Sequence, residues 1–418
     1  MNATLARRLG TGDAVVIGLS SMIGAGVFSA FGPASRAAGS GLLIGLALAG
    51  AVAYCNAVAS AQLAAQYPTS GGTYVYGRER LGEWWGFAAG WAFVIGKTAS
   101  CAAMALTFAT YAISGPRWLQ HAVGAAAVIA LTAANYRGIS RTAAVARVLV
   151  TASIASLLVV VVAIAVSGHA SASHISRLGA HGVYGVVQSA GLLFFAFAGY
   201  ARIATLGEEV RDPSRTIPRA IPIALAIAIA LYLVVAIAAL AGGGAATLAA
   251  STRPLAAAAG AAHAAWAQPV VRVGAALASL GALLALIAGV GRTTLAMARN
   301  GDLPRPLASV HSIHQVPDRA ELALGAVVTI LVLTTDLRNA IGFSSFGVLL
   351  YYAIANAAAF TQEREQRHWP RALNVAGLVG CVVLVVALPV SAVVAGAAVL
   401  AAGLAGRALV LSRRSPPA

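Results

Sequence analysis

The stretch Gly18-Leu19-Ser20-Ser21-Met22-Ile23-Gly24-Ala25-Gly26-Val27-Phe28 constrains this chain more than any other part of it. It lies inside an apolar run from about Ala14 to Pro33, long enough to cross a bilayer. Glycines and hydroxyls cluster at the middle of that run, where a spanning helix should avoid them. An unwound backbone in lipid leaves N–H and C=O groups unpaired, at a cost of several kcal/mol for each. Such a break survives only where protein or a water-filled cavity satisfies those groups. A broken first helix therefore points to a small-molecule site near the bilayer midplane.

Composition agrees with residence in a membrane. Hydrophobic residues make up 60% of the chain and charged residues 10%, where soluble domains carry roughly a quarter charged. The 418 residues accommodate about a dozen spans of ~20 residues with short loops. Hydropathy places twelve candidate spans near 13–33, 40–65, 84–113, 119–136, 142–167, 183–207, 217–241, 269–298, 321–335, 338–361, 372–389 and 391–411. No segment between them is long enough for a separate soluble domain, so the expected class is an all-α polytopic membrane protein. The opening runs from Met1 through Arg7 and Arg8 into the first span and has no cleavable signal pattern.

A net charge of +16 raises the question of nucleic acid. The basic residues are scattered through short loops without a basic-aromatic module, which argues against that partner and fits positive-inside loops. With a cytoplasmic N-terminus, Arg78, Arg137, Arg211, Arg299, Arg364 and their neighbours lie inside. Only Arg36, Arg117, Arg177, Arg253 and Arg338 then fall in or beside outer loops. An even number of spans returns the C-terminus to the cytoplasm, and the expected location is the cytoplasmic membrane. Cys55, Cys101 and Cys381 have no paired spacing, so neither a disulfide framework nor a metal site is expected. No cofactor motif is present.

The sixth span mirrors the first. Its centre reads Phe194-Phe195-Ala196-Phe197-Ala198-Gly199-Tyr200-Ala201-Arg202 and runs into Glu208-Glu209-Val210-Arg211-Asp212-Pro213. A glycine and a charge interrupt an apolar run five spans after the first interruption. Paired interruptions at matching places in two halves are the sequence sign of an inverted-repeat transporter. Spans 1–5 and 6–10 would form a 5+5 inverted repeat with broken helices 1 and 6, and two helices appended. That predicts one transporter domain over 1–412 (repeats near 13–167 and 183–361, appended helices near 372–411) and a short tail over 413–418.

Four segments in this order resemble the amino acid–polyamine–organocation transporters, over essentially the whole chain. They are Gly12-Asp13 with Ser21 to Phe28; the loop Tyr67-Pro68-Thr69-Ser70-Gly71-Gly72-Thr73-Tyr74-Val75-Tyr76 with Gly90-Trp91; Phe194 to Gly199 with Glu208 to Pro213 and Ile217-Pro218-Arg219-Ala220-Ile221; and Ala296-Met297-Ala298-Arg299-Asn300-Gly301-Asp302-Leu303-Pro304. The resemblance implies secondary transport of amino acids or related amines by alternating access. It implies that the substrate carboxylate sits on backbone amides around Gly24, Ala25 and Gly26, at the N-terminal end of a half-helix, where free N–H donors and a partial positive charge favour an anion. The α-ammonium would sit on carbonyls from Met22 or Ile23 and from Phe194, Phe195 or Ala198. Close packing through small residues is the competing account of the glycines, and the paired break in span six favours the site. Phe195 aligns with an aromatic gate of related exchangers, against the plainer account of a core or lipid-facing ring.

The intramembrane charges bear on the substrate. Lys97, the only lysine, lies about fourteen residues into span three, roughly 20 Å along a helix axis. A central charge costs about 2.5–3.5 kcal/mol on insertion scales and faces a cavity or a partner; at that depth snorkelling is difficult. Lysine also loses its proton readily when buried, which suits proton coupling. Proton-dependent relatives carry a lysine on span five, where this chain has Ser153. Lys97 therefore substitutes for that lysine, binds an acidic substrate group, or balances a local carboxylate. Arg202 stands near where several relatives have an acid; it either contacts substrate or pairs with Glu208 or Glu209, roughly two turns away. No Asp or Glu lies deep in a span, and Glu208 and Glu209 come nearest. A pocket with Lys97 and no acid should repel a cationic side chain, so neutral amino acids come first and acidic ones second, with proton coupling or exchange. Exchange or export of cationic amino acids or polyamines is the alternative within transport. An intramembrane enzyme lacks its paired carboxylates, buried histidines or activated nucleophile, and a channel lacks its charge rings.

Overall fold

The computed structural model describes residues 9–68, 71–138, 143–175, 177–204 and 210–414. In chain order the helices are α1 Thr11–Met22, α2 Ala25–Ser29, α3 Phe31–Ala38, α4 Leu42–Gln66, α5 Thr73–Leu81, α6 Glu83–Ala112, α7 Arg117–Tyr136, α8 Ala143–Val166 and α9 Gly182–Phe197. They continue as α10 Ala201–Ala204, α11 Pro213–Ala250, α12 Pro254–Ala261, α13 Gln268–Arg299, α14 Asp318–Thr334, α15 Leu337–Phe360, α16 Arg371–Ala387 and α17 Val390–Arg414. Among the described residues, eight segments are long and apolar enough to cross a membrane, and α9 and α16 are shorter apolar helices. α7 and α14 coincide with the fourth and ninth predicted spans. The chain is an all-α polytopic membrane protein.

Two predicted spans are interrupted where the glycines stand. α1 ends at Met22; Ile23 (φ −80°, ψ 62°) and Gly24 (φ −111°, ψ −143°) leave helical angles, and α2 restarts at Ala25. Ala30 keeps helical angles, and its amide bonds Gly26 O at 2.9 Å while Ala34 N bonds Ala30 O at 3.0 Å. The restarted half-helix therefore runs from Ala25 to Ala38. α9 likewise ends at Phe197, and α10 begins only at Ala201.

The two breaks pack directly on one another. A Cβ placed on Gly199 would overlap the Ser21 carbonyl and stand 2.5 Å from the Met22 nitrogen. One placed on Gly26 would stand 2.6 Å from Ala196 Cα. Small residues are what let two backbones approach this closely in a membrane. Packing and interruption, set against each other as readings of these glycines, are both present.

The loop expected around Tyr67–Tyr76 is in part helical. α5 starts at Thr73, after Gly72 at φ +55°, and ends at Leu81, before Gly82, whose φ of +103° favours glycine. Apolar periodicity could not signal it, because α5 is a short polar helix between spans. It feeds an ionic cluster that ties three spans together. Asp302 receives hydrogen bonds from Tyr74 Oη (2.7 Å), Arg78 Nη1 (3.1 Å) and Arg407 of α17. Glu83 faces Arg78 at 3.0 Å and Arg407 at 3.4 Å. The Arg407 guanidinium also lies 4.9 Å from the Phe87 ring centre and 5.1 Å from that of Trp84, which suits a desolvated cation. Burial, and then the hydrogen bond to Asp302, push the Tyr74 phenol up to about 12, so it stays a donor to Asp302 across the physiological range.

A second acid is buried at the start of a span. Glu321, in the first turn of α14, is 2% exposed. Its side chain lies over Gly291, where a Cβ would meet its Cγ at 2.8 Å. Glu321 stands at the start of its span and not deep within it, so it leaves untouched the expectation that no acid lies deep in a span; Glu208 and Glu209 lie outside the described residues.

The packing yields two expected outcomes. Gly199→Val should prevent the breaks from meeting and lower the yield of folded, monodisperse protein in detergent, while Gly406→Val, where a Cβ meets nothing within 4 Å, should leave it unchanged. Asp302→Asn removes the charge shared by two arginines, and breaking a buried pair costs about 3–5 kcal/mol. It should lower the thermal unfolding midpoint well below that of Glu83→Gln, whose side chain is 67% exposed. Equal midpoints would show that Asp302 is not the hub of the cluster.

Candidate substrate site at two helix breaks

A broken helix ends in carbonyls that lack an intrahelical donor. In this protein three side chains from other helices reach them. Tyr232 of α11 donates its hydroxyl to Met22 O at 2.7 Å and lies 3.1 Å from Ala196 O, linking the two breaks through one phenol. Lys97 of α6 donates to Ala198 O at 3.0 Å, and Tyr352 of α15 reaches the same oxygen at 3.4 Å. Beyond the first break, Tyr111 Oη donates to Phe28 O at 2.7 Å. All of these side chains are buried.

Helix packing places the donors. Gly96 of α6 meets Gly347 of α15 so closely that a Cβ on Gly96 would lie 3.0 Å from Gly347 Cα. That contact brings Lys97 and Tyr352 to one side of the second break. Tyr352 is itself fixed by aromatic neighbours, stacked on Tyr200 at 4.9 Å between ring centres and edge-on to Phe194 at 5.9 Å. Phe197 lies 5.1 Å from the Tyr232 ring.

The sequence-derived residues fall as follows. Met22, Ile23, Gly24, Ala25 and Gly26 are buried at the first break, and Phe194, Phe195 and Ala198 are buried at the second. Lys97 joins them through Ala198. Phe194 and Phe197 are core aromatics, and Phe195, also buried, flanks them in α9. Ser153 is buried in α8, but its hydroxyl donates to Leu149 O of its own helix at 2.7 Å, and no described hydrogen bond joins it to either break. Arg202 follows the second break in α10 and is half-buried; Glu208 and Glu209, its expected partners, lie outside the described residues.

Sequence reasoning missed Tyr111, Tyr232 and Tyr352. The available signal was a polar hydroxyl inside three apolar runs, where a phenol needs a partner. It also missed Arg272, whose guanidinium caps α6 by donating to Tyr111 O at 2.9 Å and Ala112 O at 3.1 Å, a cation at a helix C-terminus.

A cavity of about 630 Å³ lies elsewhere, between α6, α13, α14, α15 and α17. Trp91, Ile95, Thr98 and Ala102 line it from α6. That stripe is about a third of a turn around the helix from Lys97, and no residue of either break lines the cavity. Its walls are mainly apolar, with Thr98, Thr294, Thr335, Asn339 and Ser391 as scattered polar side chains.

The arrangement offers amides at a half-helix start, carbonyls at two half-helix ends, and a buried cation beside them. A family model described as amino acid permease matches residues 9–404. A transporter of Mycobacterium tuberculosis (strain H37Rv) is 59% identical over 414 residues, covering 98% of this chain and 93% of the relative. A branched-chain amino acid permease of Bacillus subtilis is 26% identical over 397 residues, 90% of this chain and 85% of its own. A methylthioribose transporter of the same organism is 28% identical over 388 residues, covering 86% and 80%. The chain belongs to the amino acid permease family, a group of membrane transporters.

Proposed function

We propose that this protein moves neutral amino acids across the cytoplasmic membrane by alternating access, with proton coupling or exchange. The observation that carries this reading is the contact between the two breaks, with Lys97 on the Ala198 carbonyl and no carboxylate within ion-pair reach among the described residues. The substrate carboxylate is assigned to the amides of Gly24, Ala25 and Gly26, at the start of the half-helix Ala25–Ala38, and the α-ammonium to Ala198 O and Met22 O. Phe195 is assigned the aromatic cover and Arg202 the exit side of the second break. The 5+5 repeat and cytoplasmic termini belong to the same reading.

Charge selects among side chains. A cationic substrate would place a second positive charge near Lys97 in a water-poor pocket, and like charges at a few ångströms repel strongly there. The Bacillus subtilis relative, a branched-chain amino acid permease, agrees with a neutral substrate. Cationic amino acid transporters of Arabidopsis thaliana also match, one 28% identical over 84% of this chain; the isolated Lys97 argues against carrying that specificity over. Acidic amino acids are the second reading, because an ammonium has three donors and Lys97 directs one at Ala198.

Thermal unfolding of the purified protein with each of the twenty amino acids and putrescine tests this. Neutral L-amino acids should stabilise it, by about 2.7 kcal/mol at a hundred times their dissociation constant, while arginine, lysine and putrescine should not. Selective stabilisation by arginine or putrescine would falsify the charge argument. Tyr232→Phe removes the donor shared by the Met22 and Ala196 carbonyls. It leaves those buried carbonyls short of a donor and should lower the thermal unfolding midpoint of the substrate-free protein by the equivalent of about 1–3 kcal/mol; an unchanged midpoint would show that the phenol does not hold the two breaks together.

A further inference from the structure

Lys97 holds the acceptor that the reading above assigns to the substrate's α-ammonium. Its Nζ donates to Ala198 O at 3.0 Å from a side chain that is 7% exposed. One ammonium thus stands where another is to bind. We infer that Lys97 and the substrate's α-ammonium compete for the Ala198 carbonyl, so that substrate and Lys97-bound proton occupy the protein alternately and the transporter exchanges one proton for one amino acid. This rests on the site assignment proposed above.

The surroundings decide what a displaced Lys97 does. Cys101 lies one turn along α6. α15 brings Tyr351 and Tyr352, and the second break brings Tyr200 and, after it, Arg202. α2 has no ionisable residue. From α13, Arg292 is exposed and Arg272 is bound at the far end of α6, on the Tyr111 and Ala112 carbonyls. α14 brings Glu321, held against Gly291; α7 brings His121 near its start, and α15 brings Arg338 in its first turn. Arg78 and Arg407 are bound to Asp302 and Glu83. Among the described residues no carboxylate pairs with Lys97, so an ammonium that loses Ala198 O meets only neutral groups there, such as the Tyr200 and Tyr352 phenols, and no described anion to balance its charge. A buried cation without a partner gives up its charge.

The exchange balances. In the empty site Lys97 is an ammonium donating to Ala198 O. On binding, that N–H···O contact breaks and one from the substrate's α-ammonium forms. One Lys97 N–H bond then breaks, its electron pair stays on nitrogen as a neutral amine, and the proton goes to water. On substrate release the amine takes one proton back and returns to Ala198 O. Proton and amino acid therefore cross in opposite directions, and an inward proton gradient drives the amino acid outward. A lysine whose proton is bound together with substrate would give the opposite sign.

Calorimetric titration of the purified protein with L-leucine, L-alanine and L-glutamate, in phosphate and in Tris at one pH, counts the protons. The wild type should release one proton per amino acid bound, and affinity should rise up to tenfold per pH unit while Lys97 is protonated in the empty site. Lys97→Met should bind with no release and no such pH dependence. Lys97→Arg, a cation that keeps its proton, should bind at least tenfold more weakly at every pH. Binding by the wild type without proton release, or with uptake, overturns the inference and leaves the site assignment standing; so does unchanged release by Lys97→Met. Failure of the wild type to bind any amino acid overturns both. The wild-type proton count and pH slope decide the matter even where neither variant folds.

Discussion

The constraint on which this structure depends is that a carbonyl freed inside a membrane must find a donor. Two helices stop in mid-run, at Met22 and at Phe197. Each stop exposes acceptors that lipid cannot satisfy. Tyr232, Lys97 and Tyr352 reach them from three other helices. The breaks and their donors form one unit: without the donors the breaks are too costly, and without the breaks the donors are buried polar groups with nothing to bond. Glycine completes the unit by letting the two backbones meet, Gly26 against Ala196 and Gly199 against Ser21.

Function grows from the same unit. Groups that satisfy a backbone in the absence of ligand are also the groups a ligand must replace or join. The carbonyls on Tyr232 and Lys97 are already in use, so in the proposed site substrate would enter by exchange of hydrogen bonds, with little net enthalpy needed at the moment of binding. Such a site is suited to transport, which requires that substrate both bind and leave. The ionic cluster around Asp302 plays a different part. It joins α5, the start of α6, the end of α13 and α17 through charges that are largely desolvated, and it touches neither break.

How much of this was legible in the sequence follows from where each partner is encoded. The breaks were legible because glycine and serine inside an apolar run contradict the run itself. Lys97 was legible for the same reason, as the only lysine and deep within a span. Tyr232 and Tyr352 were not, because their partners are backbone carbonyls 210 and 154 residues away, and a carbonyl leaves no mark on a sequence. The bond between Arg407 and Asp302 spans 105 residues, and hydropathy absorbed Arg407 into the last apolar run. α5 was read as loop because its helicity rests on the glycines at its two ends and on Tyr74 and Arg78 bonding to Asp302. Ser153 was placed by resemblance, and its hydroxyl turns back to its own helix.

Replacing a span-five lysine by a span-three lysine changes what the charge can do. A lysine packed outside the substrate's footprint can hold its proton while substrate is bound, so both travel together. In the site proposed above, Lys97 would lie within that footprint, on the Ala198 carbonyl just past the end of α9. Two ammonium groups cannot share one carbonyl oxygen in a water-poor pocket without repulsion, so with the substrate's ammonium assigned to Ala198 O joint occupancy would become alternation. The direction in which a proton gradient drives substrate then depends on which backbone oxygen the lysine reaches. On the proposed assignment the backbone amides of Gly24 to Gly26 would serve nearly every amino acid alike. On this reading Lys97 would bear on two properties at once, excluding cationic side chains and setting the sign of coupling, and a chain that moved its lysine between spans would move both together.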